Sequence, residues 1–280
     1  MLTYHTLIEK LAHSGVDSPR LEARLILAHI LQKESNSADI LSIRLTEEQQ
    51  QRVEDIVNRR IQKKEPLDKI LGHKGFYKYD FMVNANVLSP RPDTEILLEA
   101  ALDLGKKENI SILDLGTGSG CILLSFLKER SSAKGIGVDI STEALDIAEK
   151  NAKKLNVVSQ VSWLNKSWFD EDFIDVIGKK FDLIVSNPPY IPDAEILSLD
   201  DEVKNYDPLA ALSGGDDGLV SYRRIAKIAP FLLNQNGYIF LECGLGQAQD
   251  VCNIFKAQGL ELCQILKDLQ GIERCIILKK

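Results

Sequence analysis

Two hydrophobic periodicities divide this chain. Through the first quarter, apolar residues recur every three or four positions, the spacing of amphipathic helices. Leu7, Ile8 and Leu11 form one stripe, and Leu21, Leu25, Ala28 and Leu31 predict a second. Ser18-Pro19 reads as an N-cap followed by proline in the first helical position. Thr46 and Gln49 fit a capping box ahead of Val53, Ile56 and Val57, while Pro66 opens a short last helix that Gly72 ends. Phe76 to Val83 then alternates aromatic and polar residues, which predicts a β-hairpin with its turn near Tyr79-Asp80. After the break at Ser89-Pro90-Arg91-Pro92, a helix is expected from Asp93 to about Leu104.

Beyond that point short apolar runs alternate with helical spacing. Strands are predicted over 110–115, 135–139, 160–163, 181–185, 237–242, 260–266 and 273–278, with helices over 119–130, 142–154, 218–233 and 246–258. Such alternation implies an α/β fold with a doubly wound parallel sheet. The last two strands are joined too closely for a helical crossover, so the final one is expected to enter antiparallel. The boundaries expected are a helical domain over 1–74, a hairpin linker over 75–90 and the α/β domain over 91–280.

Composition narrows the class. A chain of 280 residues with 44% hydrophobic and 27% charged content suits one large or two globular domains. It has no uninterrupted apolar run long enough to cross a membrane, and Met1 to His5 lack the basic start of a secretory signal. The five cysteines, Cys121, Cys243, Cys252, Cys263 and Cys275, form no Cys-x-x-Cys pair and read as reduced core thiols. A cytoplasmic protein is expected. No metal site is predicted, because His5, His13, His29 and His73 all precede the cysteine-bearing half. Residues 1–75 carry 12 Lys/Arg and 11 Asp/Glu, whereas the remainder carries 22 and 30. That acidic second part argues against a large phosphate-binding footprint.

Two segments carry candidate chemistry. Ile112-Leu113-Asp114-Leu115-Gly116-Thr117-Gly118-Ser119-Gly120 makes a strand, a glycine turn and a helix start. Its spacing, Gly-x-Gly-x-Gly, departs from the pyrophosphate-binding fingerprint, which needs glycine where Cys121 stands. Asp139 ends the next strand, where an acidic side chain binds ribose hydroxyls in doubly wound folds. This part suits S-adenosylmethionine and nicotinamide cofactors alike. Trp168 reads either as a stacking partner for an adenine or as a core aromatic.

The second segment is Asn187-Pro188-Pro189-Tyr190, directly after the apolar run 181–185. An amide nitrogen is a weak nucleophile because its lone pair is delocalised into the carbonyl. An enzyme that methylates one must hold its N–H donors and aim the nitrogen. Asn187 can offer its side-chain oxygen to one N–H, and Pro188 a stiffly held backbone carbonyl to the other. Tyr190 can stack on the planar group. Rate then comes from orientation and the exclusion of water, with no general acid needed.

With these motifs in place, the chain resembles the HemK/PrmC family of protein-(glutamine-N5) methyltransferases acting on peptide chain release factors. The likeness runs through Glu65-Pro66-Leu67, Leu71-Gly72-His73, Phe76, Phe81, Pro90-Arg91-Pro92-Asp93-Thr94-Glu95 and the two motifs above. It continues through Asp207 to Leu212, Gly214 to Leu219, and Glu242-Cys243-Gly244 with Gln247. The resemblance implies a seven-stranded, Rossmann-like S-adenosylmethionine-dependent methyltransferase domain. It implies that Gly116, Thr117, Gly118, Ser119 and Gly120 line the cofactor, that Asp139 binds its ribose and that Trp168 borders its adenine. Asn187 then meets both cofactor and substrate, and Pro188, Pro189 and Tyr190 form the pocket for the glutamine of a Gly-Gly-Gln segment. The helical domain is expected to help dock the release factor. Ser167 departs from the family, whose members often carry Asp there.

An adenine-N6 nucleic-acid methyltransferase is the nearest rival, since an exocyclic amine is also planar and conjugated. It calls for a basic surface, and the basic cluster here, Arg59-Arg60-Lys63-Lys64, reads as a solvated helix end. Neither nucleic-acid nor membrane partners are expected. A nicotinamide oxidoreductase accounts for the glycine turn but leaves Asn187 to Tyr190 without a role.

Overall fold

A computed structural model describes residues 3–37, 40 and 42–280, so Met1 and Leu2 of the N-terminal stretch considered above lie outside the described residues. The chain divides into two compact units, one ending at Gly72 and one running from His73 to Lys280.

The first unit contains helices α1 (Tyr4–His13), α2 (Pro19–Leu31), α3 (Glu47–Gln62) and α4 (Leu67–Leu71). The capping box forms as the sequence predicts: the Gln49 amide donates to Thr46 Oγ1 at 3.2 Å, and the Thr46 amide to Gln49 Oε1 at 3.0 Å. Gly72 ends α4 in the left-handed region, at φ 80°. Leu7, Leu11 and Val53 are buried as expected. On α2 the stripe is offset from the predicted one. Leu21 is 57% exposed, while Ala28 is buried as expected, Leu25 and Leu31 pack half-buried against the core, and the rest of the buried face is Ala23, Ile26, Leu27 and Ile30. That second set has i, i+3, i+4, i+7 spacing and wins because it forms the wider apolar face. The basic cluster is also more structural than expected. Arg60 is buried and grips Glu22 with two bonds, at 2.8 and 3.0 Å. Arg59 pairs with Glu65 at 2.5 Å.

The second unit opens with a hairpin, β1 (His73–Phe76) and β2 (Tyr79–Met82). Its turn falls at Tyr77-Lys78, two residues before the predicted place, with Tyr77 in the left-handed region at φ 56°. The shift lets Phe76 and Phe81 pack edge-to-face and sink into the core of this unit. Burial of such rings is worth about 1.5–3 kcal/mol each. After a short 3-10 turn, Pro92–Thr94, come α5 (Glu95–Leu104), β3 (Ser111–Leu115), α6 (Cys121–Glu129), β4 (Lys134–Asp139), α7 (Thr142–Leu155) and β5 (Val161–Asn165). Then follow α8 (Phe173–Ile177), β6 (Phe181–Ser186), α9 (Asp193–Ile196), α10 (Asp201–Tyr206) and α11 (Leu209–Leu212). The chain closes with α12 (Val220–Leu232), β7 (Leu233–Glu242), α13 (Ala248–Lys256), β8 (Glu261–Lys267) and β9 (Glu273–Lys279). The short helices α8 to α11 have too few turns to announce themselves by periodicity.

The seven strands of the main sheet among the described residues take the order β5-β4-β3-β6-β7-β9-β8. β3 to β7 pair in parallel, and β9 runs antiparallel to both neighbours. Alternate residues face opposite layers. Leu113, Ile184 and Ile239 pack with α8, α12 and α13, while Ile112, Leu183 and Phe240 pack with α5, α6, α7 and the hairpin phenylalanines. Three cysteines, Cys243, Cys252 and Cys275, are buried thiols as expected, but Cys263 is exposed on β8, the last strand of the sheet among the described residues. From β3 the chain winds one way to β4 and β5, then returns to place β6 on the other side. The carboxyl ends of β3 and β6 therefore flank the switch point where doubly wound folds bind ligands.

Candidate active site

The glycine loop leaves β3 and is built almost wholly from backbone. Gly116, Gly118 and Gly120 have φ of 77°, 54° and 80°, a region that side-chain-bearing residues rarely adopt. The amides of Gly116 and Thr117 both donate to Val138 O, at 2.9 and 3.0 Å, which moors the loop to the neighbouring strand. Below it lies Asp114, fully buried, which accepts the Thr117 hydroxyl at 2.7 Å. Burial pushes the Asp114 carboxyl up to about 7; the Thr117 bond opposes this and the charge of Asp139 adds to it. Asp139 ends β4. One of its oxygens takes the Gly118 amide at 2.9 Å and the other the Ser141 amide at 3.0 Å. Burial raises its carboxyl too, against the pull of these amides.

Asn151 of α7 was not singled out from the sequence, yet it locks this loop. Its Nδ2 donates to Ser119 O at 2.8 Å and Met82 O at 3.1 Å, and its Oδ1 accepts the Met82 amide at 2.7 Å. A fully buried polar side chain with three such bonds ties hairpin to glycine loop.

The loop after β6 is built from side chains of distant segments. The Ser186 hydroxyl donates to Leu115 O at 2.6 Å and joins the two strand ends. Asn187 Nδ2 donates to Thr94 Oγ1 at 3.3 Å, and Thr94 in turn donates to Glu242 Oε2 at 2.6 Å. Burial pushes the Glu242 carboxyl up to about 7, opposed first by the Thr94 bond and then by Arg274. The Tyr190 phenol is pushed up to about 12, mainly by burial and then by Glu242. Gln247 Nε2 donates to Tyr190 O at 2.9 Å while its Oε1 accepts the Gly244 amide at 3.0 Å. Gly218 presses on the same carbonyl: a Cβ there would lie 2.3 Å from Tyr190 O, so no other residue fits.

The segment Pro90 to Glu95 acts as a junction for these parts. Arg91 reaches Asp207 at 3.2 Å, Asp93 faces Arg274 at 3.6 Å, and Glu95 accepts the Tyr77 amide at 2.9 Å.

Between the two loops lies a cavity of about 370 Å³. That volume falls in the range of small-molecule sites. Of the residues singled out from the sequence, Gly116, Gly118, Asp139, Trp168, Asn187 and Pro189 line it. Thr117 and Ser119 are buried beneath the loop, and Gly120 starts α6, where a Cβ would strike Leu124 at 2.8 Å. Pro188 and Tyr190 are not on its wall. The Trp168 ring lies 3.4 Å from where a Gly116 Cβ would stand, so the indole packs directly against the glycine. Arg224 fixes the tryptophan by donating to its carbonyl at 2.6 Å, and Trp168 Nε1 is buried without a hydrogen-bond partner. A backbone cradle, a carboxylate and an indole face along one cavity fit a nucleoside joined to an amino-acid tail. Sequence reasoning assigned no role to Asn86 to Leu88, Ser141, Pro208 or Gly214-Gly215, which also line the cavity. Pro208 and Gly214-Gly215 lie in stretches that the family resemblance had already marked, the available signal.

Comparison with known proteins defines the class first. Residues 106–242 match a methyltransferase domain family, and the glycine cradle and most of the cavity's lining residues lie within that span. Residues 4–72 match the PrmC N-terminal domain. A release factor glutamine methyltransferase of Rhodospirillum rubrum is 42% identical over 97% of this chain and 82% of its own length. That of Agrobacterium fabrum is 38% identical over 97% of this chain and 94% of its own. A bifunctional methyltransferase of Rickettsia typhi is 39% identical over 96% of this chain but 55% of its own length. The chain belongs to the release factor glutamine methyltransferase family, as the motifs implied.

Proposed function

We propose that this protein transfers a methyl group from S-adenosylmethionine to the side-chain amide nitrogen, N5, of the glutamine in the Gly-Gly-Gln segment of peptide chain release factors, and so modulates translation termination. The observation that carries this reading is the shared cavity, with the glycine cradle on one side and Asn187 on the other. S-adenosylmethionine, when bound, supplies an electrophilic methyl group on a sulfonium. The glycines of the 116–120 turn, whose Gly116, Thr117 and Gly118 amides are spent within the fold, would let its amino-acid tail approach the backbone closely, Asp139 would accept from the ribose hydroxyls and Trp168 would border the adenine. Ser167, also on the wall, offers a neutral hydroxyl to that base instead of a carboxylate.

Asn187 Oδ1 accepts one N–H of the glutamine amide, since Nδ2 is engaged by Thr94. Pro189, on the cavity wall beside Asn187, borders the planar group, while Pro188 and Tyr190, set back from the wall, are expected to reach the substrate only through the Pro188 carbonyl and the edge of the pocket. Held this way, the nitrogen is turned toward the methyl group and water is kept out. The chain supplies no general acid, because the departing thioether is neutral, and the extra proton leaves to solvent. The helical unit assists docking of the release factor. The protein acts in the cytoplasm and independently of membranes and nucleic acid; no helix among the described residues is long and apolar enough to cross a membrane.

The test is incubation of the purified protein with S-adenosylmethionine and a full-length release factor, followed by peptide mapping by mass spectrometry. One methyl on the Gly-Gly-Gln glutamine is the expected product. Label on adenine of DNA or RNA, with none on the protein, would replace this reading with the nucleic-acid one.

A further inference from the structure

Glutamine methylation, the reading on which this inference rests, imposes a polarity on Asn187. The substrate nitrogen carries donors, so the asparagine must show it oxygen and not NH₂. The two ends of a carboxamide have nearly the same shape, and only hydrogen bonds can choose between them. Here Glu242 makes the choice, accepting from the Asn187 amide directly and also through a one-way chain. An ionised Glu242 can only accept, so the Thr94 hydroxyl, 2.6 Å away, spends its single hydrogen on it. Thr94 Oγ1 is then left with lone pairs alone, and at 3.3 Å it can bind Asn187 only through Nδ2.

We propose that Thr94 and Glu242 are positioning residues that set the amide polarity of Asn187 and thereby govern methyl transfer. When Glu242 takes up a proton it becomes a donor. Thr94 can then accept from it and donate to Asn187 Oδ1, which turns NH₂ toward the substrate. A donor facing a donor lowers kcat by roughly ten- to a hundredfold. The rate should therefore rise with pH as Glu242 ionises, near 7.

Groups from five elements face Glu242. Asp93 and Thr94 approach from the 3-10 turn, Arg274 and Cys275 from β9, Tyr222 from α12, Tyr190 from the loop after β6, and Cys121 from the start of α6. Cys243 lies beside it in sequence. The Cys121 and Cys243 thiols and the Tyr190 phenol are each pushed up to about 12, and Cys275 and Tyr222 are raised as well, so all stay neutral. Arg274, the cation of this group, is shared with Asp268 at 3.1 Å and Asp93 at 3.6 Å.

The test measures kcat with saturating S-adenosylmethionine and full-length release factor from roughly pH 5.5 to 8.5. Wild type, Glu242→Gln, Thr94→Val and Thr94→Ser are compared, with cofactor Kd measured by calorimetry. We expect the wild-type rate to rise through about pH 7. Glu242→Gln should lose roughly tenfold in kcat and flatten the profile at unchanged cofactor Kd. Thr94→Val should behave likewise, and Thr94→Ser should restore both rate and profile. Asp114 is intact in every variant, so flattening isolates Glu242. A wild-type profile retained in Glu242→Gln, or equal rates for Thr94→Val and Thr94→Ser, overturns the proposal. Should Glu242→Gln not fold, the threonine pair decides alone. Failure of the substrate reading is separate: wild type would then leave the glutamine unmethylated. If it methylated adenine instead, the same variants on that amine donor would still judge the relay.

Discussion

The loops that end β3 and β6 solve the same problem with different materials. Each rests on a buried carboxylate pushed up to about 7, and each carboxylate holds a threonine hydroxyl, Thr117 on Asp114 at 2.7 Å and Thr94 on Glu242 at 2.6 Å. In the glycine loop the pair is local, three residues apart, and what it fixes is the path of the backbone. In the Asn187 loop the partners are 148 residues apart, and what they fix is one side-chain amide. A cradle for a cofactor needs many weak backbone contacts, and a short glycine turn supplies them. A pocket for a reacting nitrogen needs a single acceptor aimed with one polarity, which takes a network drawn from several strands.

The contrast predicts that damage to one loop appears in kcat and damage to the other in cofactor affinity. The largest effect is expected of Asn187→Ala. Its kcat should drop by roughly 10²–10³-fold, as when an oriented donor or acceptor is removed from a reacting site, with a far smaller change in cofactor Kd. A steady-state assay and a cofactor titration on the same preparation check this; equal losses in both would break the comparison.

Gly116→Ala comes next and should do the reverse. A Cβ would meet the Trp168 ring at 3.4 Å on a backbone at φ 77°, a conformation that costs a side-chain-bearing residue about 1–2 kcal/mol. Cofactor Kd should rise by roughly ten- to thirtyfold, while kcat at saturation is kept.

The shared buried carboxylates give a third test, through stability. With folded values of about 7 for Asp114 and Glu242 against about 4 in an unfolded chain, the native state holds protons that the unfolded state has released. Stability should therefore fall as pH rises from about 4 to about 7 and level off above. Thermal melts between those limits should show a smaller fall for Asp114→Asn and for Glu242→Gln. An unchanged slope in both variants would place the titration elsewhere.

The smallest effect belongs to Thr117→Val. It removes one buried bond to Asp114, worth about 1 kcal/mol or somewhat more because the acceptor is left buried. A modest drop in melting temperature and little change in kcat are expected. A loss of rate like that of Thr94→Val would erase the distinction between the loops.

The alternating strands and helices were legible because their apolar spacing is local. The glycine loop and Asn187 to Tyr190 were legible because each is one short run at a strand end. Leu21 was misplaced on the α2 stripe because Leu21 and Ile26 are equally apolar as letters, and only the packed partner decides which of them is buried. The hairpin turn moved by two residues for the same kind of reason: edge-to-face packing of Phe76 on Phe81 sets the register. Arg60 read as a surface cation because Glu22, its partner, lies 38 residues away.

By itself, then, the amino-acid sequence determined which segments become strands, where the chain must turn on glycine, and which two segments carry the chemistry. It could do so because propensity, periodicity and turn geometry act within a few residues. Only the tertiary structure decided that Thr94, Glu242 and Asn187 form one chain of hydrogen bonds, and that Asn151 holds the glycine loop to the hairpin. Those links join residues from 32 to 148 positions apart. A hydrogen bond needs its partners within about 3 Å, and the sheet order is what brings them there.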